Sequence, residues 1–253
     1  MTGLKDKIVL ITGTSAGIGE ACARAFADKG ARLIIAARRM DRLKELAGSL
    51  KTETHVIQLD VRDQQAVDKA IESLPAEWAE IDLLVNNAGL SRDLTKLHEG
   101  RHESWDQMID TNVKGLLYVS RAVLPGMVKR GRGQVINIGS IAGHEVYPGG
   151  NVYCATKHAV DAITKGMRID LLGTGVKVST VDPGMVETEF SEVRFYGDKD
   201  KADKVYVGLT PLVGDDIAQA VVWVADRPAH VQVAELIILP LDQASATQAN
   251  RRS

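Results

Sequence analysis

The fold is decided by Thr12-Gly13-Thr14-Ser15-Ala16-Gly17-Ile18-Gly19, which continues the apolar run 8–11 and leads into a segment of helical period, 20–29. Glycines at such a turn let the backbone bend sharply and approach a ligand closely. The first N–H groups of a helix have no partners inside it, so together with the helix dipole they attract an anion. A strand, a glycine-rich turn and a helix in a βαβ unit predict a pyrophosphate site; without that context, the turn would be only a connection.

The alternation of short apolar runs with longer segments of helical period continues along the chain. The predicted strands are 8–12, 33–37, 55–59, 83–86, 134–138, 177–181 and 235–239. Strands that alternate with helices favour a parallel sheet with crossover connections. Runs such as 8–11 are apolar at every position, which indicates a sheet covered on both faces. The predicted fold is therefore α/β: a single Rossmann-like, doubly wound parallel sheet with helices on both faces.

Length and charge restrict the class of protein. The chain has 253 residues, of which 45% are hydrophobic types, and its formal net charge is −2. That length suits one α/β domain, and no Pro/Ser-rich linker or repeat interrupts it, so we expect a single cofactor-binding and catalytic domain over residues 1–253. A slightly negative chain has no general attraction for nucleic acid or for an anionic membrane surface.

The sequence does not indicate export or membrane insertion. Apolar stretches such as 33–37 and 236–241 are far shorter than the ~20 residues that span a bilayer. The first predicted strand begins too early to leave room for a signal peptide, so we expect a cytoplasmic protein. Cys22 and Cys154 suit neither a disulfide framework nor a metal site, and we interpret both as small helix residues. A reactive thiol at Cys154, beside Tyr153, is the alternative.

Two polar segments fall outside the alternation. Residues 190–212 are rich in charge and glycine and lack clear periodicity. Loops of that length usually form lids or binding loops, so this segment is the predicted substrate loop. The polar tail, about 243–253, is expected either to fray or to pack on a neighbouring subunit.

The end of the second predicted strand indicates which dinucleotide binds. An enzyme that uses NAD usually has an acid there to hold the adenosine ribose, but this chain has Arg38 and Arg39. Two guanidinium groups suit a 2′-phosphate, so NADP(H) is the predicted cofactor. Asp41 is the competing acid, although we interpret it as the N-cap of the predicted helix 42–50. The alternative for the two arginines is a solvated surface pair.

Tyr153 and Lys157 form the candidate catalytic pair. They are four residues apart in a segment of helical period, which places both side chains on one helix face. An ammonium ~5 Å from a phenol favours the phenolate by roughly 3 kcal/mol, or about two pKa units, at an effective dielectric of ~20. Tyr153 could then exchange a proton with substrate near neutral pH. Ser140 follows the predicted strand 134–138, where doubly wound sheets bind ligands, although alone it would be a capping serine.

These residues together resemble a known family, the short-chain dehydrogenases/reductases. The matching elements occur in order along nearly the whole chain: Thr12 to Gly19, Asp60-Val61, Asn86-Asn87-Ala88-Gly89, Asn112, Ser140, Tyr153 with Lys157, Pro183-Gly184, and Thr188. The family's fold is the Rossmann-like sheet predicted above, and its members are oxidoreductases that use a nicotinamide cofactor. The resemblance also implies a homotetramer.

The resemblance assigns roles to individual residues. Ser140 would orient the reacting oxygen towards Tyr153, the acid/base; Lys157 would also hold the nicotinamide ribose, and Asn112 would anchor a water relay towards Lys157. The implied cofactor-binding residues are Gly13, Thr14, Ser15, Gly17, Ile18 and Gly19 at the pyrophosphate, Asp60 and Val61 at the adenine, Asn87, Ala88 and Gly89 along the cofactor, and Pro183, Gly184, Val186 and Thr188 at the nicotinamide end.

Within that family the chain is most similar to the NADP-dependent 3-hydroxy acid dehydrogenases. The similarity is carried by the segments 73–78, 109–115, 121–127, 149–153 and 189–195. The implied reaction is hydride transfer between the nicotinamide and the 3-carbon of a small acid such as serine, L-allo-threonine or 3-hydroxyisobutyrate, or its carbonyl counterpart. The same subgroup includes a reductase of malonic semialdehyde.

Several alternatives stay open at this point. The same residues would serve a reductase of an acyl-carrier thioester, a steroid or a simple ketone, and a non-enzymatic NADP(H)-binding protein is a more distant possibility. Arg194 is the candidate partner of a substrate carboxylate; a solvated arginine beside Glu192 is the alternative, and Arg92 or neutral donors could replace it. We expect no metal, because His144, His158 and the other histidines look like solvated or packed residues.

Overall fold

The computed structural model describes residues 3–252, and its main sheet has seven parallel strands. The strands are β1 (Ile8–Thr12), β2 (Arg32–Ala37), β3 (Thr54–Gln58), β4 (Leu83–Asn86), β5 (Gly133–Ile138), β6 (Val176–Pro183) and β9 (Glu235–Ile238), with a separate short pair formed by β7 (Val186–Glu187) and β8 (Leu212–Val213). Their order across the main sheet is β3-β2-β1-β4-β5-β6-β9. All seven predicted strands are confirmed, with ends that differ by two residues or fewer.

Helices cover both faces of this sheet. They are α1 (Gly17–Asp28), α2 (Met40–Ser49), α3 (Gln64–Glu72), α4 (His102–Ile109), α5 (Leu116–Arg130), α6 (Asn151–Asp170), α7 (Phe190–Arg194), α8 (Lys199–Lys204) and α9 (Gly214–Ala225). Short 3₁₀ turns occupy Ala76–Trp78, Leu97–Glu99 and Ile141–Gly143, and a π-helical turn, Asp110–Gly115, joins α4 to α5.

The alternation of side chains along each strand divides the core into two layers. Val9 and Ile11 of β1 pack with α1, α2 and α9, whereas Ile8 and Leu10 pack on the other face with α3 and α5. All four side chains are buried, so the strand is apolar throughout. The outer strands β3 and β9 are only partly buried because each has a neighbour on one side alone.

The strand order fixes where a ligand can enter. The chain proceeds from β1 outward to β3 and then returns to β4 on the other side of β1, so the connections after β1 and β4 diverge. In doubly wound sheets, the crevice at that divergence, outside the carboxyl ends of the strands, is the ligand site. Gly13 follows β1 and Asn87 follows β4, so the glycine-rich turn and the Asn87-Ala88-Gly89 turn meet there.

Three expectations need correction. Residues 190–212 are not irregular throughout, because they contain α7 and α8. Helix α2 begins at Met40 with Arg39 as its N-cap residue, which places Asp41 in the first turn instead of at the cap. The described part of the tail, up to residue 252, packs on its own chain, because the Arg251 guanidinium donates to the carbonyls of Val205 and Val207 at 3.0 and 2.5 Å; its packing on a neighbouring subunit stays a prediction.

The described residues contain no helix that is long and apolar enough to cross a membrane.

Candidate active site

One cavity of about 600 Å³ lies along the carboxyl ends of the strands, at the predicted crevice. Its wall includes the glycine-rich turn at one end, Tyr153 and Lys157 in the middle, and residues of α7 beyond them. Pockets of roughly 300–1,000 Å³ hold small molecules and cofactors. The cavity is therefore large enough for a ligand that extends from the glycine-rich turn to the candidate catalytic pair.

The glycine-rich turn has the geometry that the sequence predicts. Gly13 and Gly17 have φ values of +73° and +60°, which residues other than glycine rarely adopt. A Cβ atom on Gly13 would lie 2.9 Å from the Ala88 Cα, so only glycine lets the two turns approach this closely. Of the predicted phosphate-site residues, Gly13, Ser15, Gly17 and Ile18 line the cavity. Thr14 is fully buried, and Gly19 packs against Gly13 and Asn87 behind the wall.

We predict that Gly19→Ala destabilises the protein by about 1–3 kcal/mol, because its new methyl group overpacks the turn. The Cβ would lie 2.4 Å from both the Gly13 carbonyl oxygen and the Asn87 Nδ2, and backbone cannot move aside as a flexible side chain can. Thermal or urea unfolding measures the change. Gly166→Ala in α6 is the matched control, since open space surrounds that position and the variant should be as stable as the parent or more stable.

Arg38 and Arg39 line the predicted adenosine end of the cavity, and both are exposed. Arg39 is held against the glycine-rich turn: its Nε donates to the Ser15 Oγ at 3.1 Å and its Nη2 to the Ser15 carbonyl at 3.2 Å. Its Nη1 donates to the Glu189 carboxylate at 2.9 Å. The two guanidinium groups therefore stand beside the turn that would hold a pyrophosphate, whereas Asp41 is exposed on α2.

Asp60 and Val61 line the cavity next to these arginines. Asp60 is paired with Arg62, whose Nε donates to both carboxylate oxygens at 2.9 and 3.1 Å. The hydrogen bond from Arg62 holds the pKa of Asp60 below its usual value, so this carboxylate is ionised at neutral pH. An ionised carboxylate can accept a hydrogen bond from an amino group such as that of adenine.

Two loops form the cavity wall beside the glycine-rich turn. Asn87, Ala88 and Gly89 follow β4, Pro183 ends β6, and Gly184, Val186 and Thr188 come after it; all seven line the wall. The Asn87 side chain donates to the Thr12 carbonyl at 2.8 Å, which ties the first loop to the glycine-rich turn. Gln243, from the tail, accepts the Met185 N–H at 2.8 Å and so supports the second loop. The sequence analysis did not identify Gln243, because its partner is distant in the chain.

Helix α6 carries Tyr153 and Lys157, both buried, on the face that lines the cavity. The Lys157 Nζ lies 5.9 Å from the centroid of the Tyr153 ring and donates to the Ile138 carbonyl at 2.8 Å. Burial lowers the pKa of Lys157 to about 8, and the nearby Asp182 carboxylate opposes that effect. The lysine is therefore poised to lose or gain a proton near neutral pH.

The electrostatics of Tyr153 differ from the sequence-based argument. Burial raises the pKa of its phenol above the usual value, and the charge that opposes burial is the Arg194 guanidinium, helped by a hydrogen bond from Ser140. The sequence analysis assigns the lowering of this pKa to Lys157 alone and expects it to prevail, which is wrong. The sequence could not reveal the error, since Arg194 comes from a separate helix.

Ser140 performs two tasks at once. It is the N-cap residue of the 3₁₀ turn Ile141–Gly143, and its Oγ accepts the Ala142 N–H at 3.1 Å. Its Oγ also lies 3.4 Å from the Pro183 carbonyl and bonds to Tyr153. The capping interaction fixes the hydroxyl on the cavity wall beside the phenol, so the capping role and the catalytic role are compatible.

Asn112 lies in the π-helical turn between α4 and α5, a type of distortion that is frequent at functional sites. Its side chain accepts the Leu90 N–H at 2.8 Å and donates to the Leu90 carbonyl and the Thr156 Oγ1 at 2.8 and 3.0 Å. These bonds fasten the turn after Gly89 to helix α6. The water relay towards Lys157 stays a prediction.

Arg194, at the end of α7, reaches the cavity beside Tyr153. Its Cζ lies 5.7 Å from the Tyr153 ring centroid and 5.1 Å from that of Phe190. Its buried Nε has no hydrogen-bond partner among the described residues. Arg92 is engaged instead in donating to Gln107 and to the Val193 carbonyl. Phe190 packs edge-to-face on Tyr153 at 5.7 Å, a contact that the sequence analysis missed.

A second polar cluster lies behind the catalytic residues. His144, Asp182 and Glu235 place one N or O atom each within 4.8 Å of one another. The His144 Nε2 is 3.1 Å from the Asp182 Oδ2, which also accepts the Thr180 hydroxyl at 2.9 Å.

His158 contacts the Cys154 carbonyl of its own helix, and Cys22 and Cys154 are both buried in helices, as predicted. Burial raises the pKa of the Cys154 thiol, which argues against a reactive thiolate.

The sequence and this geometry agree with one family. The pattern of the short chain dehydrogenases matches residues 7–197, and the chain belongs to that family. It is an oxidoreductase of the type that acts on a CH–OH group, and the Rossmann-like fold that the sequence predicts is confirmed.

Within that family, the chain is similar to proteins named as 3-hydroxy acid and serine dehydrogenases. The NADP-dependent 3-hydroxy acid dehydrogenase YdfG of Salmonella typhi is 49% identical over 97% of this chain and 100% of that protein. The NADP-dependent 3-hydroxy acid dehydrogenase of Schizosaccharomyces pombe is 42% identical over 100% of this chain and 99% of that protein. The closed form of serine dehydrogenase complexed with NADP⁺ superposes with a TM-score of 0.93 and 48% identity, covering 97% of this chain and 100% of that one.

Proposed function

We propose that the protein is an NADP(H)-dependent oxidoreductase of small 3-hydroxy acids, such as serine, L-allo-threonine or 3-hydroxyisobutyrate. The observation that carries the proposal is the buried, unpartnered Nε of Arg194, which lines the same cavity as Tyr153. The Arg194 side chain as a whole is half-buried, and a substrate carboxylate would supply the partner that its buried Nε lacks. The relatives named for NADP and for 3-hydroxy acids support the same substrate class.

The cavity fits a dinucleotide with a 2′-phosphate. The glycine-rich turn, with positive φ at Gly13 and Gly17, would hold the pyrophosphate at the N-terminus of α1. Arg38 and Arg39 would hold the 2′-phosphate beside that turn, and Asp60 would accept a hydrogen bond from adenine. The two loops after β4 and β6 would enclose the nicotinamide end.

The mechanism follows from the positions of the polar groups. When bound, NADP⁺ or NADPH supplies the hydride acceptor or donor. Ser140 would hydrogen-bond the reacting oxygen, and Tyr153 would take the hydroxyl proton during oxidation and return it to the carbonyl oxygen during reduction. Lys157, buried beside the phenol, would stabilise the phenolate and bind the cofactor ribose. Arg194 would pair with the carboxylate and so place the 3-carbon within reach of the hydride.

The remaining expectations belong to the same proposal. We propose one cofactor-binding and catalytic domain over residues 1–253, with 190–212 covering the substrate, and a homotetramer that works in the cytoplasm without a metal. Size-exclusion chromatography with light scattering tests the assembly.

A prediction concerns the cofactor: replacing both Arg38 and Arg39 with Gln should weaken NADP⁺ binding by ~3 kcal/mol or more. The physical reason is the loss of two cations that face the 2′-phosphate, a group that NAD⁺ lacks. Titration of each cofactor by protein fluorescence measures the effect. Binding of NAD⁺ should change far less, and an equal loss for both cofactors would mean that the arginines do not bind this phosphate.

The substrate class is tested by initial rates of NADP⁺ reduction. Useful substrates are L-serine, D-serine, L-allo-threonine, L-threonine and 3-hydroxyisobutyrate, compared with neutral alcohols of similar size, and the reverse direction should include an acyl thioester and a simple ketone. The proposal expects the highest kcat/KM among the 3-hydroxy acids. A clear preference for a neutral alcohol, a ketone or a thioester would assign the protein to another branch of its family.

A further inference from the structure

Glu189 connects the two walls of the cofactor groove. It follows the loop after β6 directly, and its carboxylate accepts the Arg39 Nη1 at 2.9 Å and the Arg42 Nη1 at 2.6 Å. Both arginines belong to the opposite wall, at the end of β2 and the start of α2. Burial opposes ionisation of Glu189, but the hydrogen bonds from Arg39 and Arg42 prevail and lower its pKa, so the carboxylate is charged at neutral pH.

A second contact crosses the groove one residue earlier. A Cβ atom on Gly17 would lie 3.2 Å from the Thr188 Cβ, so the loop after β6 rests directly on the glycine-rich turn. The same Arg39 that reaches Glu189 also donates twice to Ser15 in that turn. Residues 188 and 189 therefore close over the position that the glycine-rich turn offers to a pyrophosphate.

These salt bridges leave donors free for a 2′-phosphate. A guanidinium has five N–H donors, and Arg39 uses three of them on Ser15 and Glu189. Arg38 lines the cavity, and no hydrogen bond or ion pair engages its guanidinium within residues 3–252. The phosphate can thus bind Arg38 and the remaining donors of Arg39 while the Glu189 bridges persist.

Glu189 is also joined to the substrate end of the cavity. It is the N-cap residue of α7, and the next residue, Phe190, packs on the Tyr153 ring. Arg194 lies at the other end of the same short helix. A restraint on Glu189 therefore also restrains the helix that carries the candidate carboxylate partner.

We propose that Glu189, through Arg39 and Arg42, is a clasp that closes the groove over bound NADP(H) and couples its 2′-phosphate site to α7. Glu189 is a positioning residue in this scheme, and Arg42 joins Arg38 and Arg39 at the adenosine end. The inference rests on the cofactor site proposed above. It predicts that loss of the clasp increases the rate of cofactor release and loosens substrate binding.

The test is Glu189→Gln, which keeps the size of the side chain and removes its charge. NADPH binding should weaken about three- to tenfold, and its release, followed by stopped-flow fluorescence, should accelerate to match. The fragment 2′,5′-ADP needs no closed groove, so its affinity should change less than about twofold. The KM for the hydroxy acid should rise more than kcat changes, because α7 positions the substrate.

Two further variants keep the test decisive. Arg42→Gln, at an exposed helix position, should reproduce part of the effect on NADPH, because it removes one of the two salt bridges of Glu189. The double variant should bind NADPH within about twofold of Glu189→Gln, because Glu189→Gln has already lost the bridge to Arg42. Glu53→Gln is the matched control: it breaks an exposed salt bridge to Arg32 at the far end of β2 and should change neither binding nor release.

The outcomes distinguish a failure of the clasp from a failure of the cofactor site. Unchanged NADPH affinity and release in Glu189→Gln would overturn the clasp, as would additive losses in the double variant. Tighter binding of 2′,5′-ADP would also overturn it, because Glu189 would then compete with the phosphate. Failure of the underlying cofactor site gives a different result: the parent protein would bind 2′,5′-ADP no better than 5′-AMP.

Discussion

Tyr153→Phe is expected to retain NADPH binding and to lose turnover by roughly 10²- to 10⁴-fold, the usual contribution of a positioned acid or base. The phenylalanine ring keeps the packing of Tyr153 against Phe190, so the shape of the cavity should survive. The substitution removes the hydroxyl that is proposed to exchange a proton with substrate. Fluorescence titration measures binding, and initial rates at saturating NADPH measure turnover.

The control for this loss is Tyr147→Phe. Tyr147 lines the same cavity and packs in the same apolar cluster, so its variant removes a hydroxyl from a comparable environment. Its turnover should stay within about tenfold of the parent, since no proton transfer is assigned to it. Tyr153→Phe activity within about tenfold of the parent would require another acid/base.

Arg194→Met is expected to reduce kcat/KM for serine or 3-hydroxyisobutyrate by about 2–4 kcal/mol, or roughly 30- to 1,000-fold. Methionine keeps much of the length and the apolar contacts of the side chain but removes the charge and the planar set of donors. A neutral alcohol of similar size should lose much less, because it offers the guanidinium no carboxylate. Initial rates for the matched pair of substrates give the difference directly.

The same variant has a second expected effect, on the pH dependence. The Arg194 charge lowers the pKa of Tyr153 against the effect of burial, so removing it should raise that pKa. Oxidation needs the deprotonated phenol, and therefore the ascending limb of kcat/KM against pH should move to higher pH.

Arg101→Met is the control for charge alone. Arg101 pairs with Asp93 and stacks on Tyr196, near α7 but outside the cavity wall. Its loss should change neither the substrate preference nor the pH profile. If Arg194→Met affects acid and neutral alcohol alike, or affects neither, Arg194 is not the partner of the carboxylate.

Periodicity and spacing were sufficient for the sheet and for the two ends of the site. An apolar strand such as β1 must be buried on both faces, so helices must cover both sides of the sheet, as they do in a doubly wound fold. Tyr153 and Lys157 share a helix face because they are four residues apart, which is a local property. The crevice followed from the sheet, because it lies where the connections diverge.

The features that the sequence did not reveal depend on contacts between distant segments. Glu189 reaches residues 39 and 42, Gln243 supports the loop at 185, and Arg194 acts on Tyr153 from a separate helix. The sequence analysis includes Glu189 and Phe190 only within the segment 189–195 that carries the similarity to the 3-hydroxy acid dehydrogenases. Neither residue has a spacing in the sequence that indicates its partner. The helical character of α7 and α8 was missed because helices of five and six residues are too short to show a period.

The most direct test of the central claim follows the hydride itself. The protein is incubated with malonic semialdehyde and NADPH that carries deuterium at the transferable position of nicotinamide C4, and the product is examined by NMR and mass spectrometry. The account predicts 3-hydroxypropionate with one deuterium on C3, at a rate that falls with Tyr153→Phe and with Arg194→Met. Absence of NADPH oxidation with this acid, alongside rapid oxidation with a neutral ketone, would contradict it.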